Sequence, residues 1–255
     1  MTGGRPNRKL LAAALALLGC LPVTRGQGGP PMLTDDPGTP GPGHWEVNVA
    51  WLREQRPGGS VDELPLLDLN YGVGDRLQLK YEASLLSERH AGLPDGHGMS
   101  NSLVGVKWRF LDEERDGVAL STYPQIEFRN PASGAARRGL SADENSLLLP
   151  VEAVRTVGPV EINVDFGGTF HSRTRDGWFG GCAVGRQVDA RLELMVELHA
   201  QGERLDRLLE VAANLGARVK CTAHGTLLLS VGRELTDHDE PRATLLSYVG
   251  WQTTL

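Results

Sequence analysis

Charged side chains recur at every second residue along much of this chain. Lys80 and Glu82 share one parity, as do Lys107 and Arg109, and Glu127 and Arg129. The same holds for Glu161, Asn163 and Asp165, for Glu193, Glu197 and His199, and for Asn214 and Arg218. Residues two apart lie on one face of a β-strand, so this spacing gathers carboxylates, ammoniums and guanidiniums on one side of a sheet. The chemistry open to such a face is electrostatic. Opposite charges on neighbouring strands pair, and a carboxylate-rich wall facing a cationic one selects among ions that pass between them. The candidates for that work are Lys80, Glu82, Lys107, Arg109, Glu127, Arg129, Glu161, Asp165, Glu197 and Arg218. The bland outcome, in which the same charges neutralise one another and fill the space, stands beside the selective one.

Covalent and metal chemistry find less support. A hydrolase or acyltransferase needs a hydroxyl activated by a base, and His199 sits beside Glu197 with no serine pattern near it. His90, His97, His224 and His238 lack metal-ligand spacing, and no nucleophile elbow, zinc helix or phosphate loop is present. Asp35 and Asp36 precede Pro-Gly, where turn chemistry is the expectation over cation binding. The sequence therefore predicts no enzyme, no metal and no cofactor. A formal charge of −6, with 26 basic residues spread along the chain, offers no basic patch for nucleic acid.

The elements that would hold the charged face are strands. From Trp45 onward about twelve segments alternate apolar and polar residues between turn signals, and no helical period interrupts them. "VEINVDFGGTF" (160–170) shows the pattern clearly: Val160, Ile162, Val164 and Phe166 on one parity, Glu161, Asn163 and Asp165 on the other. Most segments have the nine to eleven residues that a tilted strand needs to cross a bilayer. The connections alternate as well. Those around "GVGDRL", "DEERDG", "TVGPV", "QVDARL" and "KCTAHGT" are tight, whereas "REQRPGGSVDE", "SERHAGLPDGHGMSN", "RNPASGAARRGLSADEN" and "ELTDHDEPR" are longer and polar. Short turns at one end and long loops at the other mark an outer-membrane barrel. With 32 glycines, 15 prolines and 40% hydrophobic residues, the composition suits a turn-rich all-β chain.

The same residues would serve a soluble barrel or sandwich with its apolar parity inside. Export bears on the choice. Arg5, Arg8 and Lys9 precede an apolar run from Leu10 to Leu21, too short to span a bilayer as a helix and flanked as a secretory signal is. Cleavage at "VTRG" is favoured over a lipobox reading of "LLGC" that would lipidate Cys20. Aromatics on the apolar parity fall toward the strand ends: Trp45, Tyr71, Trp108, Phe110 and Trp251 toward the short turns, Phe128, Phe170 and Trp178 toward the long loops. That is where membrane barrels carry their girdles. Charge on the lipid side at mid-membrane costs about 2–4 kcal/mol, and the apolar parity is nearly free of it.

The expectation is an all-β, antiparallel, up-and-down transmembrane-type β-barrel of about twelve strands, with short periplasmic turns and longer outer loops. Residues 1–26 form a signal peptide, 27–44 a Pro/Gly-rich segment leading into the first strand, and 45–255 the barrel. Several segments, "LTDDPGTPGPGHWEVNVA", "LPLLDLNYGVGDRLQLKYE", "NSLVGVKWRFLDE", "STYPQIEF" and "LLLPVEA", resemble a family of bacterial outer-membrane proteins described as transporter-like and linked by name to a phenol-degradation (MetA) pathway. The resemblance runs from about residue 31 to 255 and implies an exported β-barrel; it supplies no catalytic residues. Many outer-membrane barrels end in an aromatic residue, whereas this chain ends "GWQTTL" at Leu255.

Three functions stay open on these grounds: a passive or facilitated outer-membrane channel for small, aromatic or hydrophobic solutes; a non-conducting structural barrel whose outer loops bind a partner; and a soluble periplasmic binding barrel. The expected partners are outer-membrane lipid and a small solute. The oligomeric state is left open.

Overall fold

The computed structural model describes residues 29–130, 134–203, 210–236 and 242–255. The expected signal peptide, with Cys20, lies outside them. Fourteen strands form one antiparallel sheet: β1 (Trp45–Arg56), β2 (Gly59–Val73), β3 (Leu77–His90), β4 (Gly96–Met99), β5 (Ser102–Leu111), β6 (Ala119–Thr122), β7 (Gln125–Phe128), β8 (Ser146–Val157), β9 (Val160–His171), β10 (Gly177–Gln187), β11 (Leu192–Glu203), β12 (Glu210–Lys220), β13 (Gly225–Glu234) and β14 (Leu245–Thr254). β4 and β5 are two lengths of one stave, since both pair with β3. β6 and β7 are likewise one stave between β5 and β8, interrupted at Tyr123 and Pro124. Proline has no N–H to give to a ladder, so the interruption falls where the chemistry requires it.

Twelve staves therefore make a closed barrel. Closure comes where β1 pairs with β14, from Glu46↔Thr254 to Gln55↔Leu245, and it removes the sheet edge that an open sheet would expose. Trp45 and Leu255 exchange backbone hydrogen bonds of 2.9 Å in both directions. The non-aromatic C-terminal residue is thus part of the seam.

Tight turns lie at the end where both barrel termini meet. Gly158, at φ +60°, turns β8 into β9, a conformation in which glycine avoids the Cβ clash. The turn between β5 and β6 holds one short helix, α1 (Glu113–Asp116), where the sequence had suggested none. At the other end the long connection between β7 and β8 matches expectation. "REQRPGGSVDE" does not. β1 and β2 pair as far as Arg56↔Gly59, leaving a turn of Pro57 and Gly58. β2 runs 15 residues and β3 14, more than a bilayer needs, so these strands project beyond it. Polar residues mark a strand that stands in water as readily as they mark a loop.

The faces sort as a membrane barrel requires. Asn48, Asp68, Asn70, Lys107, Ser121, Glu152, Asn163, Asp165 and Glu197 are all buried in the interior, while Leu79, Val106, Val164, Phe166, Leu198 and Leu215 lie on the exterior and are exposed. A soluble protein arranges these classes the other way round. Trp45 packs at a tilt against Tyr71 (4.8 Å) and Trp108 against Phe110 (5.6 Å) near the short turns, and Phe166 meets Trp178 (6.4 Å) toward the other rim. Val164, paired with Ala153 and Cys182, stands at mid-height on the exterior. Val164→Arg is expected to destabilise the barrel by about 2–4 kcal/mol in lipid, read as a lowered urea midpoint in vesicles. An unchanged midpoint would place this face away from lipid.

Candidate functional site

The interior is occupied by the chain's own N-terminal segment. Pro and Gly deny residues 29–44 a ladder of their own, so their backbone groups must find partners elsewhere, and they find them on the barrel wall. Near the short-turn end, Gly43 donates to the Gly72 carbonyl (2.9 Å) and Gly72 donates back to His44 (3.0 Å). Thr39 Oγ1 donates to the Asp75 carbonyl (3.2 Å). From there the segment climbs to mid-height, where the Thr34 N–H donates to Glu197 Oε1 (2.5 Å) and the Asp35 N–H to Asp165 Oδ2 (3.3 Å). It then folds back on itself, with Gly29 N–H donating to Thr34 O (3.0 Å). Arg218 grips the returning end: Nε and one terminal nitrogen donate to the Pro30 carbonyl (3.0 and 2.7 Å), and that nitrogen also donates to Gly29 O (3.0 Å). Glu193 lies 3.5 Å from the other terminal nitrogen of Arg218.

The central anchor is Lys107, which is 2% exposed. Its ammonium donates to Asp35 Oδ1 (3.0 Å) and to the Asp36 carbonyl, and lies 3.4 Å from Glu152. Glu152 also accepts from Ser121 Oγ (2.6 Å). The Tyr123 ring sits 4.6 Å below the ammonium, within the range of a cation–π contact. The wall is shaped for this occupant. A Cβ placed on Gly181 would lie 2.2 Å from Thr34 Oγ1, and one on Gly216 would lie 2.1 Å from Met32 Cε. Met32 packs with Ala183 and Met195 in a small apolar cluster.

Around this plug the lumen narrows sharply. A cavity of about 540 Å³ opens toward the long loops, bounded below by Met32, Leu33 and Asp35. A second, of about 530 Å³, opens toward the short turns between Asp36, Arg109, α1 and Glu161. Beside the plug, against Asp35, Lys80, Lys107, Tyr123 and Arg218, a third space of only about 50 Å³ remains. That volume admits a few waters and no organic solute.

The ten residues expected to line the lumen divide into four groups. Lys107, Asp165, Glu197 and Arg218 hold the plug. Lys80 pairs with Glu82 (2.8 Å) and Asp68 (3.4 Å) on the wall above it. Glu127 lies toward the outer mouth, accepting from Asn101 (2.9 Å) and Ser146 (3.3 Å), and Glu161 accepts from Asn163 (2.9 Å) near the inner cavity. Two were misplaced. Arg109 is at the short-turn rim, bound to Asp112 (2.8 Å) and the Asp75 carbonyl (2.7 Å), and does not face Glu127. Arg129 is in the outer loop, paired with Asp143 at 2.6 Å. Asp36 does accept from the Gly38 N–H as a turn residue should, but Asp35 is an ion-pair partner across 72 residues. His199 stacks on Phe179 (6.3 Å, 18°). Among the described residues no group of three His, Cys, Asp or Glu side chains is placed to hold a metal ion.

Outside the membrane, Glu144 fastens the long loop to the turn after β9. Its carboxylate accepts from Thr174 Oγ1 (2.5 Å), Thr174 N–H (3.0 Å) and Arg173 N–H (2.9 Å), with His171 Nδ1 at 3.5 Å. The Thr174 hydroxyl, first among these, holds the carboxyl below its ordinary range. A depressed carboxylate stabilises the folded loop above the ordinary value and stops doing so as pH falls through the depressed one. Acidification through the carboxylate range is therefore expected to speed proteolysis of the 134–145 loop. Glu144→Gln is expected to make cleavage fast already at neutral pH, with Asp143, paired with Arg129 and Arg173, left to supply the remaining acid response. A wild-type cleavage rate that is flat across that window would refute the clasp.

The fold has close counterparts of known structure. The chain superposes on the COG4313 outer membrane channel from Pseudomonas putida F1 with a TM-score of 0.73 and 14% identity, over 90% of this chain and 100% of that one. The KdgM porin gives 0.56 at 11% identity, over 81% and 98%, and the NanC porin 0.54 at 10%, over 81% and 98%. No family model matches the chain, and no curated protein matches it in sequence. At these identities the likeness is one of fold. The architecture is the closed, all-β, up-and-down barrel of twelve staves that the sequence led one to expect.

Proposed function

We propose that this chain is an outer-membrane channel for small solutes, closed at rest by its own N-terminal segment. The observation that carries this reading is the profile of the lumen: cavities of about 540 and 530 Å³ toward its two mouths, with residues 29–38 between them and a space of only about 50 Å³ left beside those residues. A purely structural barrel has no need of vestibules at both mouths. Fold likeness to channels and porins supports the reading, as does the apolar exterior, which suits outer-membrane lipid after export. The buried ion pairs act as clasps for the plug. They neutralise much of the charge that an open bore would have used for selection. Apolar side chains at the outer mouth, Leu33 and Leu52 among them, suit solutes with an apolar or aromatic body, and the resemblance to a family linked with phenol degradation points the same way. We read the chain as a non-enzyme.

Two measurements test this. Gel mobility of the membrane-extracted protein with and without boiling is expected to shift, because closed barrels resist SDS until heated. In planar bilayers the protein is expected to show brief, small openings that lengthen when the plug is loosened. A barrel that shifts on heating but stays silent under every plug-loosening substitution would be a binding or structural barrel instead.

A further inference from the structure

The outer vestibule carries a feature that closure alone does not use. In ladder register, Leu52 of β1 stands directly between Glu63 of β2 and Tyr248 of β14. Directly opposed residues on adjacent strands are about 5 Å apart, so Glu63 and Tyr248 flank a leucine and their longer side chains can converge above it. Leu33, 52% exposed at the top of the plug, and Leu66 extend the apolar surface into the same cavity. Several carboxylates of this cavity have cations of their own, Glu54 and Glu234 in Arg56 and Glu82 in Lys80, but among the described residues two here do not. Glu63 accepts only from Ser84 Oγ (2.5 Å), and Glu127, in the adjoining recess, only from the neutral Asn101 and Ser146. The cations that line this cavity are engaged elsewhere: Lys80 is shared between Glu82 and Asp68, and Arg53 is paired with Asp62 (3.1 Å). A second observation is independent of charge. Tyr248 is 8% exposed and lines the cavity, yet its hydroxyl has no hydrogen-bond partner. A buried hydroxyl left unpaired is costly, and ordinarily some donor or acceptor fills the gap.

From this row we infer that the outer vestibule binds a small organic cation, a primary ammonium on an apolar body about one ring in size. The body lies over Leu33 and Leu52, the ammonium faces Glu63, and one of its N–H groups donates to Tyr248 Oη. An uncompensated carboxylate such as Glu63 in a cleft attracts cations and repels anions, and the apolar floor distinguishes such a solute from a hydrated metal ion. The inference rests on the channel reading in that it names the class of solute presented to the plug, but binding at the vestibule is measurable without transport.

The test uses the full barrel in lipid nanodiscs and three isosteric probes: 2-phenylethylammonium, 2-phenylethanol and 3-phenylpropanoate. Calorimetric titration is expected to show the ammonium binding at least tenfold more tightly than the alcohol, with the carboxylate undetected. Glu63→Gln is expected to abolish most of that preference, and Tyr248→Phe to weaken the ammonium several-fold while leaving the alcohol unchanged. Retained heat-dependent gel mobility shows that each variant is folded. Equal binding of all three probes, or an unchanged preference in folded Glu63→Gln, overturns the inference whether or not the barrel conducts. Selective binding of the ammonium by a barrel that proves silent in bilayers upholds the site and removes the channel reading instead.

Discussion

Lys107→Met opens the barrel. The ammonium it removes binds Asp35 Oδ1 at 3.0 Å and the Asp36 carbonyl, both on the plug, and Glu152 on the wall at 3.4 Å. With the plug in place, the substitution leaves the fully buried Glu152 and the part-buried Asp35 facing each other without the ammonium they share. Breaking a buried pair by deleting one partner costs about 3–5 kcal/mol. That cost falls mainly on the closed state, because withdrawal of the plug hydrates Glu152 and releases Asp35 to water. At about 1.4 kcal/mol per factor of ten, the ratio of closed to open moves by roughly two to three orders of magnitude. Single-channel records in planar bilayers are then expected to change from rare openings to sustained ones. Asp35→Asn, which removes the charge from the plug side, is expected to move in the same direction with a smaller amplitude, because its amide can still bond Lys107 through oxygen. A Lys107→Met barrel that keeps its heat-dependent gel shift and conducts as the wild type does would show that the plug is not held by this clasp.

How far the sequence could be read depends on the range of the interactions. Glu161, Asn163 and Asp165 announce their face because strand parity is local, and the exterior of Val164 and Phe166 follows from the same alternation. The rim aromatics and most of the turn asymmetry come from equally local signals. The plug does not. Residues 29–44 have no period, and their partners lie 72 residues away at Lys107 and 189 away at Arg218. Parity placed Lys107 and Arg218 in the lumen correctly, but not what they hold. Height along the stave was also out of reach. Arg109 keeps lumen parity yet sits at the rim because β5 ends two residues later, at Leu111, and Arg129 falls just past the end of β7. One sign of the plug was present in "GWFGGCAVGRQ". Gly181, Ala183 and Gly185 follow one another on the lumen parity of β10, facing His199, Glu197 and Met195. A water-filled bore gives no reason for a stripe of such small residues, whereas a chain segment lying against it does.

That stripe sets the last expectation. Gly181→Ala places a Cβ 2.2 Å from Thr34 Oγ1, 2.9 Å from Asp165 Oδ1 and 3.0 Å from His199 Cδ2. Thr34 is fully buried with its N–H held by Glu197, so it cannot turn aside without shifting the plug. Overpacking of this kind costs about 1–3 kcal/mol. Its tightest contact, with Thr34, exists only while the plug is seated, whereas those with Asp165 and His199 on the wall persist in both states. About tenfold more open time is therefore expected. Deleting the other side of the contact reverses the effect. Thr34 Oγ1 has no hydrogen-bond partner, so Thr34→Gly forfeits no bond from that hydroxyl and makes room for the new methyl. The double substitution Gly181→Ala with Thr34→Gly is therefore expected to close the channel again, with a coupling between the two sites of about 1–3 kcal/mol in the closed-to-open ratio. Charge is untouched in this pair, which separates it from the clasp at Lys107. Additive effects of the two substitutions would mean that residue 34 does not rest on the wall at residue 181 in the membrane, and that the lumen is closed by some other contact.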